Sequence, residues 1–492
     1  MPHQNTSSPH PHLKLLLQIA ALSIFLSPAL TAQTADSLST VKKIYVGSFG
    51  QDDSANKLRE RMLQQIRKSG KLQIVSTPGE ADALLKGSED IWVTGYVSTN
   101  PRVPSNSRQP IIQGFLSAEL IGKDNEPLWS YLVTPSKFRA ASITQDLADQ
   151  LVAKLIAALE QKKDKLPPSA LPNSPVEANL NGAGATFPAP LYQKWFESFQ
   201  ERFPNVHINY SPVGSQGGLD LLARGKVDFA ASDASPPHEN PSESQGSLLY
   251  FPTVLGAVVT IYNLKAVDRT LNFTPEVLAE IYLGKIKSWN DPRLHASNKN
   301  APLPDTAITV VHRSDGSGTT FVWTDYLSKV SAEWNNSVGV GTEVKWPIGT
   351  GAEGNEGVAA MVQQTPNSIG YVELVYALRH QLSFGAVRNS AGEFVQADLA
   401  SVTAAANTAT ISMTSDFHVS ITNPPGKSVY PIATYTWWLF LPDFGGASKK
   451  PAFLDLLQWM LTSGQKQCSA LGYAPLPREI ASRELQLLTQ LK

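Results

Sequence analysis

The chain has a single cysteine among its 492 residues, Cys468. No disulfide can therefore form within it, and no cysteine near the N-terminus is available to carry a lipid. Export does not require a disulfide, so this scarcity excludes a disulfide-stapled scaffold without excluding an exported protein. We expect Cys468 to be a small buried residue on a C-terminal helix.

Neither sign of charge is in excess, and histidines are few. The 41 Lys and Arg balance 42 Asp and Glu, so the composition gives no indication of a nucleic-acid partner. The histidines that follow the N-terminal segment include no pair at the spacing of metal ligands, so we expect no metal and no cofactor. These histidines are His207, His238, His295, His312, His380 and His418.

Long uninterrupted apolar runs are also missing. Residues 15–30 are mostly apolar and follow Lys14, but Gln18 and Ser23 interrupt them, and the run ends near Ala32. Such a run is too short and too interrupted for a membrane span. Residues 1–32 are therefore predicted to be a secretory signal peptide, with an uncleaved anchor as the alternative.

What remains is predicted to be two folded units. A hydrophobic content of 42% with 10 Trp indicates a real core rather than disorder. A proline-rich stretch at residues 166–175 marks an extended linker, placed at 164–178, between a unit at 38–163 and a unit at 179–492.

The first unit has the pattern of a small α/β module of unknown function. Apolar runs predict strands at 44–46, 72–75, 91–97, 111–121 and 128–133. One helix begins near Ala55 and is closed by Gly70, and Thr144 is predicted to cap a second helix. No acid–base pair, metal spacing or glycine loop is evident in this unit. We expect a scaffold or docking module that is dispensable for ligand binding.

The most informative segment of the second unit is residues 310–320. An apolar strand leads into Arg313, Asp315 and a run of Gly, Ser and Thr, and then into a predicted helix at 321–330. The free N–H groups and the dipole of a helix N-terminus favour an anion. Arg313 supplies a planar cation that Asp315 can hold in place. The Lys of a nucleotide P-loop is absent, so an oxyanion is favoured over a nucleotide.

Three upstream segments place small or polar residues where a strand or loop ends. Each alone is weak evidence, because glycine-rich turns usually just connect elements, but four such segments in one unit favour a site. The upstream segments are residues 181–188, 214–218 and 227–234.

Other interpretations of these residues stay open at this point. Thr186 and Asp233 could be plain helix caps, and Asp228 is expected to be a surface or structural residue. Ser317 in its Gly-Ser-Gly context admits a Ser-His-Asp hydrolase, although the Gly-x-Ser-x-Gly pattern is incomplete and no histidine is an evident base. The aromatic run 435–441 is predicted to be a buried strand and not an aromatic ligand platform.

From about Asn179 onward, the chain resembles the periplasmic phosphate-binding proteins of high-affinity phosphate ABC transporters. The resemblance rests on the four segments above and on further motifs in the same order. These motifs are 251–254 (FPTV), 280–286 (EIYLGKI) with 289–291 (WND), 345–349 (KWPIG), 354–358 (GNEGV) and 370–373 (GYVE).

The resemblance implies a set of phosphate-binding residues. The first loop would use the Thr hydroxyl and the following N–H, the second loop its Ser, and the Ala-Ser-Asp strand its acid as acceptor of the phosphate proton. The Arg-containing loop would supply the guanidinium, two hydroxyls and an N–H, with Asp315 orienting the Arg. In this chain the phosphate-binding residues are Thr186, Phe187, Ser215, Asp233, Arg313, Ser317, Gly318 and Thr319. His312 stands where many relatives carry a second basic residue.

Elementary chemistry independently favours phosphate over sulfate at a buried carboxylate. Phosphate keeps at least one proton at neutral pH and can donate it to Asp233, whereas sulfate has none. An unpaired like charge would cost about 2–5 kcal/mol, roughly 30-fold to several-thousand-fold in affinity. Asp233 would therefore act by rejection as well as by attraction.

The expected architecture is a two-lobed α/β fold that clamps phosphate, preceded by the small α/β module. One lobe would hold residues 179–255 and 434–492, and the other 256–433. The resemblance implies a monomeric solute-binding protein, not an enzyme, that delivers phosphate to the inner-membrane subunits of an ABC permease. A phosphatase-like enzyme and an adhesive or structural envelope protein are the alternatives.

Overall fold

The computed structural model describes residues 38–98, 108–123, 125–135, 142–160, 177–235, 248–265, 267, 269–410 and 419–491. The predicted signal peptide, the proline-rich linker, His238 and His418 lie outside these ranges. Within them, no helix is long and apolar enough to cross a membrane.

The first part of the described chain is an α/β module, as its pattern predicts. Its α-helices are α1 (Asp53–Ser69) and α2 (Ile143–Glu160), and two 3-10 turns lie at Leu38–Thr40 and Pro78–Glu80. Its strands are β1 (Lys43–Val46), β2 (Gln73–Ile74), β3 (Ala83–Ser98), β4 (Arg108–Gly122) and β5 (Pro127–Val133).

Local signals account for both ends of α1, whereas the predicted starts of α2 and β3 need correction. Asp52 caps α1 by accepting a bond from the Ala55 N–H at 2.8 Å, and Gly70 ends it in the left-handed conformation at φ 64°. Helix α2 already begins at Ile143, so Thr144 lies in its first turn rather than at the predicted cap. Strand β3 begins eight residues before the predicted position 91, because Ala83 to Asp90 pair with β4 although their sequence is only weakly apolar.

The module's strands form one five-stranded sheet in the order β2-β1-β3-β4-β5. Strand β1 runs parallel to β2 and β3, and β3, β4 and β5 form an antiparallel meander. Side chains of α1, α2 and the sheet, such as Leu58, Leu116 and Leu151, make a core of their own. The helices thereby cover one face of the sheet.

The rest of the chain is a larger α/β unit. Its strands are β6 (Ala178–Gly184), β7 (Val206–Ser211), β8 (Phe229–Ser232), β9 (Leu249–Tyr262), β10 (Asn272–Phe273), β11 (Thr309–Arg313), β12 (Thr350–Ala352), β13 (Ser368–Glu373), β14 (Ser383–Phe384), β15 (Ala386–Arg388), β16 (Phe394–Val395) and β17 (Ala433–Phe440). Its helices are α3 (Ala189–Arg202), α4 (Ser215–Ala223), α5 (Pro275–Tyr282), α6 (Pro292–Ser297), α7 (Gly318–Val330), α8 (Ala332–Ser337), α9 (Gly354–Gln364), α10 (Leu374–Arg379), α11 (Leu399–Thr410), α12 (Lys450–Leu461) and α13 (Arg478–Leu491), with a 3-10 helix at Gly464–Leu471.

The long strand β9 joins two groups of strands, which are the two lobes. Residues 249–257 of β9 pair with β17, and β17 continues the sheet to β8, β6 and β7. Residues 258–262 pair with β13, and β13 leads to β11 and β12. The first lobe thus contains β6, β7, β8 and β17, and the second contains β11, β12 and β13. The chain crosses from one to the other within β9.

Strand β17 confirms the interpretation of the aromatic run as a buried strand. All eight of its residues are buried, and Trp438 stacks on Phe229 with ring centroids 4.0 Å apart. A strand covered on both faces is expected to be apolar without alternation. Cys468 is buried, as expected, although its helix is a 3-10 helix.

The module packs against both lobes beside this crossover. Toward the first lobe, Ser117 donates to the Ala470 carbonyl at 2.7 Å and Ser130 to the Lys466 carbonyl at 2.6 Å. Toward the second lobe, Gln113 donates to the Ser383 hydroxyl at 3.3 Å. Sequence alone suggested separate units, so this interface is a new feature.

Gly472 lies where module and lobes meet. A methyl placed on it would lie 3.5 Å from Val375 Cγ2 and 4.0 Å from Leu132 Cδ1. Gly472 belongs to the first lobe, Val375 lies in α10 directly after β13 of the second lobe, and Leu132 belongs to the module. Leu132 is 9% exposed and packs with the core of the lobes rather than with that of the module.

The interface predicts an effect of Leu132 on the stability of the whole protein. Leu132→Ala should lower the free energy of unfolding by about 2–4 kcal/mol, because it leaves a cavity between module and lobes. Val93→Ala is the control, since Val93 is 48% exposed. Chemical denaturation of the full chain measures both, and equal small effects would contradict a packed interface.

Candidate functional site

The segment between β11 and α7 forms a capped helix N-terminus. Ser317 caps α7, and its hydroxyl oxygen accepts the Thr320 N–H at 3.0 Å. The helix begins at Gly318, three residues before the predicted start at 321, so Gly318 and Thr319 lie in its first turn. Of the N–H groups in that turn, the one of Gly318 points to Ser215 in the first lobe.

Arg313, at the end of β11, is the buried cation of this segment. It is 3% exposed, and its Nε donates to Asp315 Oδ1 at 2.7 Å while Nη2 bonds Oδ2 of the same carboxylate. Its Nη1 is buried and has no hydrogen-bond partner in the described part of the chain. A guanidinium held side-on by one carboxylate therefore keeps a free donor for an oxyanion.

Asp315 is fixed in turn by the start of α9. Its Oδ1 accepts the Gly354 N–H at 3.0 Å. Burial acts to raise the pKa of Asp315, but the Arg313 guanidinium and this N–H outweigh it and lower the pKa. The carboxylate thus stays ionised and orients Arg313, which is the role that the sequence predicted.

Three predicted residues come from loops of the first lobe. Thr186 follows β6, Ser215 begins α4 and Asp233 follows β8, with exposures of 9%, 0% and 1%. Pro188, not Thr186, occupies the cap position of α3, and none of the described helices begins at Asp233. The alternative in which these two residues are helix caps is therefore wrong.

Hydrogen bonds join the loops of the two lobes. Gly318 N–H donates to Ser215 Oγ at 3.1 Å, and Gln216 N–H donates to the Gly316 carbonyl at 3.1 Å. Tyr376 OH donates to the Thr186 carbonyl at 2.6 Å. The cleft is closed in this structure, and the predicted residues of both lobes line the same buried space.

Asp233 is the one carboxylate among the first-lobe residues of this group. Thr436 Oγ1 donates to its Oδ1 at 2.7 Å, and Ser215 Oγ accepts its N–H at 3.4 Å. Burial raises the pKa of Asp233 to about 7, against the opposing effects of the Thr436 bond and Arg313. A carboxyl with such a pKa can accept a proton from a ligand or hold one itself near neutral pH.

Phe187 and His312 are each held beside an aromatic side chain. Phe187 is fully buried, and its carbonyl accepts a bond from Tyr473 OH at 2.7 Å. His312 stacks on Trp346 with centroids 4.7 Å apart, and its Nδ1 lies 2.9 Å from the Arg313 carbonyl oxygen. Burial lowers the pKa of His312, so it does not add a cation to the rim at neutral pH.

Residues outside the predicted set also form hydrogen bonds with its members. Asn355, in the first turn of α9, is fully buried and donates through Nδ2 to Thr186 Oγ1 at 2.8 Å and Thr319 Oγ1 at 3.2 Å. Tyr371 OH accepts the Arg313 N–H at 3.2 Å. Asn355 and Tyr371 lie in motifs noted in the sequence, whereas Thr436 sits in an apolar run that gave no such signal.

The contacts of Asp228 and Ser317 bear on the structural and hydrolase interpretations of these residues. Asp228 is structural, as expected, because it accepts bonds from Lys449 Nζ at 2.8 Å and from the Asn181 N–H at 2.8 Å. Ser317 Oγ accepts the Thr320 N–H, whereas His295, His312 and His380 bond Asn290, the Arg313 carbonyl and Glu356. No His, Cys, Asp and Glu cluster in the described residues could hold a metal.

Known proteins match the larger unit. A family profile described as the PBP superfamily domain covers residues 169–463. The phosphate-binding protein PstS of Xylella fastidiosa is 43% identical over 64% of this chain and 86% of its own length. The PstS proteins of Pasteurella multocida and Methanocaldococcus jannaschii are 42% and 37% identical, with 91% and 86% of their lengths covered.

Solved structures of other proteins share the fold. A high-affinity periplasmic phosphate-binding protein, PfluDING, bound with phosphate, superposes with a TM-score of 0.50 at 21% identity, over 63% of this chain and 93% of that one. The two-lobed fold is thus common to both. On the profile and the relatives together, the chain belongs to the PstS family within the PBP superfamily.

Proposed function

We propose that the protein is an extracytoplasmic solute-binding protein that captures inorganic phosphate between its lobes and delivers it to an ABC permease. The observation that carries the proposal is the buried group of Arg313, Asp233 and the N-terminus of α7 in one closed cleft. The names of the PstS relatives support the same ligand.

The residues proposed to contact phosphate are those expected from the sequence. A free guanidinium N–H, the hydroxyls and the N–H groups of a helix N-terminus are donors, which suit the oxygens of a tetrahedral oxyanion. The full proposed set, with Asp233 as its one acceptor, is Thr186, Phe187, Ser215, Asp233, Arg313, Ser317, Gly318 and Thr319, with Asp315 in support.

Asp233 would give the site its selectivity. It is the one acceptor among these donors, so a ligand that still carries a proton can satisfy it. An anion without a proton would place a like charge against a buried carboxylate. Phosphate meets this requirement near neutral pH and sulfate does not.

Closure of the lobes would couple binding to delivery. Ligand contacts to Ser215 and Asp233 on one lobe and to Arg313 on the other favour the closed form over the open form. A permease that recognises the closed form would then receive only loaded protein.

We further propose export by residues 1–32, a periplasmic location and a monomeric state.

Equilibrium dialysis with labelled phosphate, against sulfate and arsenate, tests the function directly. Stoichiometric, saturable phosphate binding that sulfate does not displace is expected. Incubation with a chromogenic phosphate ester should release no product, whereas turnover would favour the enzymatic alternative.

Asp233→Asn should relax the selectivity for phosphate over sulfate, because an amide can donate to an oxyanion that has no proton. Competition titration measures the ratio of the two affinities. Asp228→Asn is the matched control in the same lobe, since Asp228 pairs with Lys449 outside the site. Unchanged selectivity in the Asp233 variant would remove this residue from the site.

Asp233 should also make the stability of the ligand-free protein depend on pH. The pKa of this carboxyl rises from 3.8 to about 7 on folding, so the folded state binds its proton more tightly than the unfolded state does. The resulting contribution to stability is fully present below pH 4 and is lost as the pH rises through 7. An asparagine does not titrate, so the Asn variant does not lose stability in this way. Its free energy of unfolding should therefore gain about 4 kcal/mol on the wild type between pH 4 and pH 8. Denaturation without phosphate measures it, and a difference independent of pH would contradict the raised pKa.

Arg313→Ala should weaken phosphate binding at least ~30-fold, because it removes a charge-assisted contact in a dry cleft. Arg313→Lys should restore only part of the affinity, since an ammonium cannot reproduce the planar fork. Arg293→Ala, at a surface pair with Asp291, is the control and should bind normally. Calorimetry that finds the Arg313→Ala variant as tight as the wild type would make the oxyanion assignment of this loop wrong.

A further inference from the structure

Asn355 lies between the lobes at the start of α9 and has no exposed surface. Its side-chain amide is oriented by the sheet of the second lobe, because Oδ1 accepts the Glu373 N–H at 2.9 Å. The Nδ2 group must then face the opposite way. It lies 2.8 Å from Thr186 Oγ1 and 3.2 Å from Thr319 Oγ1.

The direction of these two bonds is fixed by chemistry. An amide nitrogen can only donate, whereas a hydroxyl has one proton to donate and two lone pairs that accept. Thr186 and Thr319 must therefore accept from Asn355. Each keeps its single proton for another partner, and Thr186 additionally accepts the Asn355 backbone N–H at 3.3 Å.

We propose that Asn355 is a positioning residue that sets the hydrogen-bond polarity of the site, by making both threonine hydroxyls donors toward the bound anion. The inference rests on the proposed function and deepens it. Asn355 acts through Thr319 of its own lobe and Thr186 of the other, so it holds Thr186 only when the cleft is closed.

The two serine hydroxyls also accept hydrogen bonds from the protein, but from backbone N–H groups instead of Asn355. Ser215 Oγ accepts the Gly318 N–H at 3.1 Å, and Ser317 Oγ accepts the Thr320 N–H at 3.0 Å. All four hydroxyls thus accept at least one hydrogen bond from the protein, which leaves the proton of each for the anion. Asp233 remains the acceptor, so a proton on the ligand has one defined place.

Asn355→Asp separates the two roles, because it keeps the acceptor for the Glu373 N–H and removes the donor to the threonines. An aspartate can still accept the Glu373 N–H, which preserves the structural bond. Its second oxygen cannot donate and instead accepts hydrogen bonds from the threonine hydroxyls. The carboxylate also adds a negative charge near the anion. Asn355→Ala loses the structural bond but leaves the hydroxyls free to rotate.

The two roles predict opposite orders of affinity, measured by calorimetry with inorganic phosphate on the full chain at pH 8. If Asn355 sets polarity, the Asp variant should lose roughly 30-fold or more. The Ala variant should lose about 10-fold or less. If Asn355 only holds Glu373, the Ala variant should be the weaker binder. Lowering the pH should restore part of the affinity of the Asp variant relative to the Ala variant, because a protonated carboxyl can donate again.

Asn335→Asp is the charge control, since Asn335 is exposed on α8. A double-mutant cycle with Asn355→Ala and Thr186→Val serves if the Asp variant does not fold, and it should show a coupling between the two changes. Wild-type protein that fails to bind phosphate would defeat the proposed function itself. Wild type that binds, with an Asp variant at least as tight as the Ala variant or with no coupling in the cycle, would overturn only the role of Asn355.

Discussion

The site depends on keeping a guanidinium and a carboxyl out of water at the same time. Arg313 and Asp233 are 3% and 1% exposed, and each would be costly to bury without partners. Asp315 neutralises the guanidinium from one side, and the pKa of Asp233 rises until it holds a proton part of the time. Thr436 donates to Asp233, while the hydroxyls around the two groups are the proposed donors to the anion.

Much of this site could be predicted from the sequence because its parts are local. A hydroxyl and glycine loop before a helix, an Arg two residues from an Asp, and an acid that ends an apolar strand each carry their chemistry within a few residues. The helix behind Ser317 and the strand before Asp233 are present as predicted. The resemblance to a known family then supplied the pairing of loops between lobes.

What the sequence did not indicate arises from contacts between distant segments. Thr436 lies 203 residues from Asp233 and is surrounded by aromatic neighbours that suggest only a buried strand. Asn355 is 169 residues from Thr186, and its role depends on which way its amide is turned. The packing of Leu132 against the lobes was likewise hidden, because the proline-rich stretch indicated separation.

The module's position beside strand β9 has a thermodynamic consequence for lobe motion. It touches the first lobe through Ser117 and Ser130 and the second through Gln113, so rotation of one lobe against the other must shift at least one of these contacts. Coupled equilibria are reciprocal, so whatever free energy the shift costs acts in both directions. A state of the module that packs better in the closed form would hold the cleft shut, and an occupied cleft would in turn tighten the module.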